Sequence, residues 1–453
     1  MSTSVIVPTF HYNSRIRSHV DAGRDDQALL LFHRMLAVDG VSPDQFTFPT
    51  VLKACSRLPT DSEGKQIHSL VLKSRFAPAD DTFILSSLVH FYARRGLLRD
   101  ARLVFDRIPH KSVVSWNAML DGYARFGYLE HALQLFDEMP DRSIYSWNAL
   151  IGGFVRNDRG WEALKIFIEL RTSGMKPDVS TIVSFVSAVA DLGLLALGRL
   201  AHAYVIRSFF SLDGALGVAL IDMYSRCGSI AAAYNVFLAI ESKNIKHWTA
   251  MVSASAAHGL TDAALRVFDE MIKSRCKPNF VTFVAVLSAC SHGGLLCKGF
   301  EYFDLMVSFG IEPRVEHYGC LIDMLGRAGF VAEALKLVGR MPVEPGPVVW
   351  SSLLSACRNQ GEASLAEVVA KNMIESDPNN GSPYVLLSHV YGKLGRWDDF
   401  RIAKKVMMEK KLTKVAGTSW IEIDGYIHKF VSGDRFHLKT KEIYAVLDAL
   451  SSF

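Results

Sequence analysis

Residues 113–143 read VVSWNAMLDGYARFGYLEHALQLFDEMPDRS. An apolar segment leads to Gly127, and a second segment carries Ala132 and Phe136, four residues apart and therefore on one helix face, before Met139 and Pro140 end it. Glycine adopts the left-handed conformation that ends a helix without steric strain. The stretch therefore predicts a hairpin of two short helices.

The same pattern recurs along the chain. Its turn glycines are Gly96, Gly127, Gly193, Gly228, Gly259, Gly294, Gly329, Gly361 and Gly395, separated by 31, 66, 35, 31, 35, 35, 32 and 34 residues. The gap of 66 hides one unit, in which Asp158 takes the glycine position. Small residues follow the turn (Ala101, Ala132, Ala163, Ala233, Ala264, Ala334 and Ala366, or Gly64, Gly198 and Gly299), and four residues later come Phe32, Phe105, Phe136, Phe167, Phe237, Phe268 and Phe303. We expect both positions to form the core between neighbouring hairpins.

The register divides the chain into repeat units and a different tail. After a short N-terminal segment, residues 1–8, ten units cover residues 9–346, and two degenerate units cover 347–414. The ten units are 9–44, 45–81, 82–112, 113–143, 144–178, 179–213, 214–244, 245–279, 280–314 and 315–346. In the tail, 415–453, residues 418–431 alternate like a β-hairpin around Asp424-Gly425, and a helix is expected over about 440–452.

Composition excludes several classes of protein. With 49% hydrophobic and 21% charged residues, the chain is neither disordered nor collagen-like, and it contains no apolar run long enough for a membrane span. The 50 basic and 46 acidic side chains leave a net charge of only +4, so a nucleic-acid partner must be held by local patterning.

The repeats and the tail resemble the plant organellar pentatricopeptide repeat family. The resemblance is to the subclass that alternates P, L and S repeats and ends in E motifs, of the E/E+ type without a complete DYW deaminase domain. It is carried most clearly by Val113–Tyr123, Tyr145–Ile151, Val286–His292, Glu312–Tyr318, Tyr384–Ser388 and Gly417–Glu422. It implies an all-α fold, a right-handed α-solenoid superhelix of stacked helix-turn-helix repeats with a small C-terminal β-hairpin. It also implies sequence-specific binding of single-stranded RNA, one base per repeat.

In this family the fifth and last residues of a unit select the base. The matching pairs are Asn13 with Asp44 (U), Asn117 with Ser143 (a pyrimidine, leaning to C), Asn148 with Asp178 (U), Thr249 with Asn279 (A), and Ser86 with Ser112 (a purine). Pro49, Val183 and Val284, at the fifth position of the L units, cannot form such hydrogen bonds, and the pairs Val218 with Asn244 and Gly319 with Gly346 depart from the pattern. The alternative is that each pair is an ordinary solvated helix surface.

Two further positions complete the expected RNA surface. The second residues Phe83, Val114 and Tyr145 suit contact with the faces of a base, whereas Lys246 and Glu316 do not. The thirteenth position is arginine in six of ten units: Arg57, Arg94, Arg125, Arg156, Arg226 and Arg327. Stacked hairpins would align these arginines along a phosphate backbone. Alternatively, they stabilise helix C-termini through the helix dipole.

Nothing in the sequence indicates an enzyme, a cofactor or a metal site. We expect the chain to stop before a DYW domain, because it contains neither the His-x-Glu nor the Cys-x-x-Cys of a deaminase zinc centre. His428 and His437 are weak metal candidates. The leading hypothesis is a monomeric factor that selects C-to-U editing sites and recruits a DYW-type deaminase and other editing factors in trans through residues 347–453. The alternatives are a factor for RNA splicing, stabilisation or translation, or a protein-binding scaffold.

Localisation is expected from the resemblance to be mitochondrial, with the chloroplast as the alternative. The first twenty residues carry Arg15 and Arg17 and no acidic residue, which is typical of a transit peptide, but the first repeat already begins within them. The sequence leaves open whether a presequence is missing. It does not identify the target transcript or the deaminase.

Overall fold

Left-handed turns separate the two helices of a hairpin wherever the glycine spacing predicts one. In the computed structural model all nine turn glycines have φ between +67° and +87°. Asp158, at the position where one unit lacks glycine, also has a positive φ, +57°. Aspartate tolerates this region better than most side chains because its short polar group bonds locally. The turn is therefore kept where its usual residue is absent.

The structure describes residues 9–73, 82–378, 380–410, 412, 417–423, 426–431, 435, 437 and 439–451. The expected N-terminal segment 1–8 and the expected turn Asp424-Gly425 lie outside these residues. Two compact units divide after Asp191. No helix of the described residues combines the length and apolar content needed to cross a bilayer.

The N-terminal unit contains five complete hairpins and most of the helix that begins the next. Its helices are α1 Thr9–Asp21, α2 Asp25–Ala37, α3 Thr47–Cys55, α4 Ser62–Lys73, α5 Thr82–Arg94, α6 Leu98–Asp106, α7 Val113–Arg125, α8 Leu129–Glu138, α9 Ile144–Arg156, α10 Gly160–Thr172 and α11 Val179–Leu192. Odd-numbered helices open a repeat and even-numbered helices close it. Helix α5 packs on α6, its hairpin partner, and on α7, the first helix of the next repeat. This stacking defines an α-solenoid.

The C-terminal unit continues the hairpins and adds the tail. Its helices are α12 Leu195–Arg207, α13 Ala215–Arg226, α14 Ile230–Ala239, α15 Ile245–Ala257, α16 Thr261–Lys273, α17 Phe280–His292, α18 Leu296–Ser308, α19 Val315–Arg327, α20 Val331–Val338, α21 Pro347–Gln360, α22 Ala363–Ser376, α23 Ser382–Lys393, α24 Trp397–Glu409 and α25 Thr440–Ser451. One apolar cluster runs from Ile322 in α19 to Ala403 in α24. The core therefore continues without a break into the two degenerate repeats.

A two-stranded antiparallel hairpin lies between α24 and α25 in sequence. Strands β1 (Thr418–Ile423) and β2 (Tyr426–Val431) pair from Thr418 opposite Val431 to Ile423 opposite Tyr426. The alternating pattern predicted this hairpin, and the all-α repeat fold with a small C-terminal sheet is confirmed.

Aromatic side chains of the second helices join neighbouring repeats. The ring of Phe105 stands edge-on to Trp116 of the next repeat at 5.0 Å between centroids, and Phe136 meets Trp147 in the same way at 4.7 Å. Edge-to-face pairs at this separation stabilise by about 0.5–1.5 kcal/mol beyond the area they bury. Phe167 and Phe303 also contact an aromatic residue of the next repeat, Phe185 and Tyr318 respectively, but they are only half-buried. Five of the seven aromatic residues predicted to lie in the core are therefore fully buried.

The glycines at the small position lie under a large side chain of the next repeat. A Cβ on Gly64 would overlap the ring of Phe91, which is fully buried, and a Cβ on Gly198 would overlap the sulfur of Met223. We expect Gly64→Ala to destabilise the fold by about 1–3 kcal/mol, because a rigid buried ring cannot move aside. Gly198→Ala is the matched control and should have a smaller effect, because methionine can change rotamer.

Urea unfolding of both variants measures the difference. Equal midpoints would contradict the packing role assigned to Gly64.

Candidate nucleic-acid interface

A groove of about 790 Å³ in the N-terminal unit gathers equivalent positions from successive repeats. It is lined by second, fifth, sixth, ninth and thirteenth residues of five consecutive units: Pro49, Lys53, Phe83, Ser86, Ser87, His90, Val114, Asn117, Ala118, Asp121, Tyr145, Asn148, Ala149, Arg156 and Ser180. Residues at these intervals on stacked first helices fall on one surface. The groove contains three of the expected base-selecting residues, Ser86, Asn117 and Asn148.

The three expected base-flanking side chains line this groove and are open to solvent. Phe83 is 61%, Val114 68% and Tyr145 71% exposed. Exposed apolar side chains at one-repeat intervals provide flat or branched surfaces between which a planar group can stack. Their register is that predicted from the sequence.

Three of the fifth-and-last pairs are joined by direct hydrogen bonds, and in two of them the acceptor is a carboxylate. The amide Nδ2 of Asn148 donates to the two carboxylate oxygens of Asp178 at 3.0 and 3.2 Å. In the first unit, Nδ2 of Asn13 donates to Asp44 at 2.9 and 3.1 Å. Residues thirty or more positions apart are thereby held as a single donor and acceptor group. The sequence register predicted the pairing but not the bond.

The carboxylates of these pairs are held in their ionised form. Burial alone would raise the pKa of Asp178, but hydrogen bonds from the backbone and hydroxyl of Thr181 and from Asn148 outweigh it and lower the pKa below its ordinary value. The pKa of Asp44 is lowered in the same way, by Asn13 and Thr47 against the effect of burial. An ionised carboxylate only accepts hydrogen bonds, so each pair presents an acceptor beside an amide donor.

The remaining pairs lack a carboxylate. Nδ2 of Asn117 donates to the hydroxyl of Ser143 at 3.3 Å, which is the third direct bond. Thr249 and Asn279 are bridged by the hydroxyl of Thr282, at 2.8 and 3.1 Å.

Ser86 and Ser112 make separate bonds. Ser86 donates to the carbonyl of Thr82 at 2.5 Å, whereas Ser112 caps α7 by accepting from the N–H of Ser115 at 3.3 Å. The purine-selecting role expected for this pair therefore has no shared hydrogen bond behind it.

Four of the six thirteenth-position arginines lie within ion-pair distance of a ninth-position aspartate, which offsets their charge. Arg125, Arg226 and Arg327 pair with the aspartate four residues earlier on the same helix: Asp121 at 3.1 Å, Asp222 at 2.9 Å and Asp323 at 2.8 Å. Arg156 lies 4.0 Å from Asp121. Such exposed pairs contribute at most about 1 kcal/mol, so a phosphate can displace them. These ninth-position aspartates were not predicted, although the sequence shows each of them four residues before its arginine.

Arg57 and Arg94 differ from the other four. Arg57 donates to the carbonyl of Val20 in the preceding repeat at 2.9 Å and lies 3.4 Å from Asp25, so it joins two hairpins. Arg94 is exposed, and no ion pair is found for it among the described residues. The six arginines therefore do not form one uniform track, and Arg94 is the most available for a phosphate.

Neutralising three of these arginines tests the phosphate track. We expect the triple variant Arg94→Gln, Arg125→Gln and Arg156→Gln to weaken binding of all RNA sequences alike. The log-log slope of affinity against salt should flatten by roughly 0.7 for each phosphate that the variant no longer neutralises. The matched control changes Arg99, Arg102 and Arg171, on the second helices α6 and α10, to Gln. An unchanged slope in the first variant would contradict the track.

The tail brings the two candidate histidines within hydrogen-bonding distance of each other. Nδ1 of His428 lies 2.9 Å from Nε2 of His437. No group of three or more His, Cys, Asp or Glu side chains that could hold an ion occurs in the part of the chain that the structure describes.

Stacked helix hairpins with paired polar residues along a groove define a helical-repeat protein built to bind an extended polymer. Sequence profiles agree: the PPR repeat matches residues 10–38, 83–113, 114–144, 281–311 and 316–344, the PPR repeat family matches 142–191 and 243–292, and the E motif matches 361–422. The chain belongs to the pentatricopeptide repeat family of plants and carries its E motif.

Relatives in Arabidopsis thaliana match almost the whole chain. The pentatricopeptide repeat-containing proteins At1g59720 (named chloroplastic/mitochondrial), At5g48910 and At2g20540 are 40%, 41% and 41% identical, each over 98% of this chain. The chain spans 66%, 71% and 83% of their respective lengths.

Among solved structures, the fold is similar to the pentatricopeptide repeat protein PPR10 from maize. The TM-score is 0.62 at 19% identity, covering 90% of this chain and 59% of that chain. A second structure, PPR10 in complex with an 18-nt psaJ RNA element, gives a TM-score of 0.50 at 18% identity, over 90% and 80% of the two chains.

Proposed function

We propose that this chain binds single-stranded RNA sequence-specifically and selects sites for C-to-U editing in organellar transcripts. In this proposal the ten repeats dock the RNA, and residues 347–453 recruit a deaminase that acts in trans. The mitochondrion is the expected compartment and the chloroplast the alternative. A relative named chloroplastic/mitochondrial supports a location in one of these organelles. The proposal assigns no catalytic step to the chain itself.

The observation that carries the RNA proposal is the set of fifth-and-last pairs along the first helices. In Asn148 with Asp178, an amide donor stands beside an ionised carboxylate, at 3.0 and 3.2 Å. The Watson–Crick edge of uracil offers an N3–H donor between two carbonyl acceptors, which this pair complements. The exposed rings of Phe83 and Tyr145 give the base a stacking surface in the same groove. The RNA-bound structures of PPR10 support the choice of ligand.

The E motif supports editing over other RNA roles. It matches residues 361–422, which contain α22, α23 and α24, and these helices share one apolar core with α19 to α21. Beyond it, α25 exposes Val446 and Leu450 at 59% and 64%, so the tail carries apolar surface that a partner can cover.

Two experiments separate the candidate functions. Crosslinking in organelles should recover RNA bound to this protein, and recovery of protein partners without RNA would favour the scaffold alternative. A transcript-wide comparison between wild-type and loss-of-function plants should then show one or a few cytidines that are no longer edited. Defects in splicing, transcript ends or translation with all editing intact would overturn the editing proposal and leave RNA binding standing.

A further inference from the structure

The third residue of seven repeats is a polar side chain with no solvent exposure. These residues are Thr47, Ser115, Ser146, Thr181, His247, Thr282 and His317, each 0% exposed. A buried polar group must find a hydrogen-bond partner, or it destabilises the fold. In six of the seven repeats the partner follows the residue at the fifth position of the preceding repeat. The exception is Ser115, which follows Ser86 but bonds the carbonyl of Ser112.

Four of the buried hydroxyls reach back to that fifth residue. The distances from hydroxyl to side-chain oxygen are 2.7 Å for Thr47 to Asn13, 2.7 Å for Ser146 to Asn117, 2.6 Å for Thr181 to Asn148, and 2.8 Å for Thr282 to Thr249. In all four repeats the fifth residue is one of the expected base-selecting residues. The hydroxyl therefore lies directly behind the group that would face the base.

The two histidines bond elsewhere, and the fifth residues before them are apolar. Nε2 of His247 bonds the carbonyl of Gly214 at 3.0 Å, and Nε2 of His317 bonds that of Phe280 at 2.9 Å. The corresponding fifth residues are Val218 and Val284, which have no oxygen to receive a hydroxyl. A hydroxyl at the third position thus accompanies a polar fifth residue, and an imidazole accompanies an aliphatic one.

The hydroxyl fixes the orientation of the amide. Since the carboxylate of Asp178 only accepts, Nδ2 of Asn148 must face it, which turns Oδ1 of Asn148 toward the hydroxyl of Thr181 at 2.6 Å. The one hydroxyl proton is shared between this oxygen and Oδ1 of Asp178, which lies 2.8 Å from the hydroxyl. The backbone N–H of Asp178 in turn donates to the Thr181 hydroxyl at 3.1 Å. The Asn148 amide is therefore held by Asp178 on one side and by Thr181 on the other. The second N–H of Asn148 and the outer carboxylate oxygen of Asp178 keep fixed directions as a result.

We propose that the hydroxyl at the third position of a repeat is a positioning residue for base selection by the preceding repeat. This proposal rests on the proposed RNA binding and deepens it. In the four repeats where the hydroxyl reaches back, a base is selected by three residues from two successive repeats: the fifth and last residues contact the base, and the buried hydroxyl holds the fifth in the selective orientation. Losing the hydroxyl frees the amide to rotate, so discrimination between bases falls more than overall affinity.

The test compares Thr181→Val with Thr181→Ser in the purified full chain. Affinities are measured for RNA oligonucleotides that differ only at the nucleotide assigned to the unit 144–178. We expect Thr181→Val to lower the preference for U over C at that nucleotide roughly three- to tenfold, the effect of one hydrogen bond, and Thr181→Ser to restore it. Preferences at other nucleotides should not change.

A matched pair of serines separates positioning from stability. Ser146→Ala removes a hydroxyl that bonds Asn117, whereas Ser115→Ala removes an equally buried one that bonds the carbonyl of Ser112 at 2.7 Å. Only Ser146→Ala should change a base preference. If Thr181→Val does not fold, this pair of variants tests the positioning role in its place.

An unchanged U-to-C ratio in folded Thr181→Val, or equal effects of the two serine variants, would overturn the positioning role alone. Failure of the unmodified chain to bind any RNA would overturn the proposed function as well.

Discussion

Replacing Asn148 by Thr is expected to change the base preferred at a single nucleotide from U to G. The Asn148 amide supplies a donor beside the Asp178 carboxylate, which suits uracil. With the shorter Thr the amide donor is lost and space opens for a purine. The carboxylate can then accept from the N1–H and the amino group of guanine together. We expect the preference for U over G to fall by roughly 10- to 100-fold, the range of a bidentate base contact.

Binding to oligonucleotides with each base at that nucleotide measures the change. The same substitution at Asn235, an exposed residue of the second helix α14, is the control and should leave all preferences as they are. If Asn148→Thr alters no preference, or alters a nucleotide assigned to another repeat, the register that assigns fifth and last residues is wrong.

Deleting residues 415–453 is expected to abolish editing and to spare RNA binding. The pairs proposed to select bases lie between residues 13 and 279, and strands β1 and β2 of the tail pair with each other. The Kd for RNA should therefore stay within about twofold, a change of less than about 0.5 kcal/mol. Under the proposed function, editing at the target cytidine requires a deaminase recruited through the tail, so editing should fall to the level of a loss-of-function plant.

The control for this deletion replaces 415–453 with a flexible Gly/Ser chain of equal length, which should behave like the deletion. Full editing by either variant, at wild-type protein levels, would contradict recruitment through the tail. Loss of RNA binding on deletion would place part of the RNA surface in these residues instead.

The sequence predicted the repeat because its signals are local. A glycine at a left-handed turn and a small residue four positions before an aromatic are consequences of backbone sterics and helix periodicity. The register was firm enough to assign Asp158 to a turn position without its usual glycine, and φ of +57° confirms it.

The features that the sequence did not yield depend on which of several partners a side chain selects. The thirteenth-position pattern groups Arg57 with five other arginines, yet Arg57 bonds the carbonyl of Val20 in the preceding repeat. The buried hydroxyl of Thr181 looks like an ordinary helix-capping residue in sequence, and only the folded distance of 2.6 Å ties it to Asn148. Contacts between residues thirty positions apart follow from stacking, which the periodic pattern predicts only in outline.

Selection of RNA from a random pool by the purified chain tests the central claim most directly, that successive repeats each select one nucleotide. Counting units 9–44 to 245–279 in order, the pairs assigned above predict U, an unselected base, a purine, a pyrimidine leaning to C, U, two unselected bases and A. Enrichment of this eight-nucleotide pattern, read in one RNA direction, is the expected result. A pool that shows no enrichment, or no binding to RNA of any composition at low ionic strength, would contradict the account.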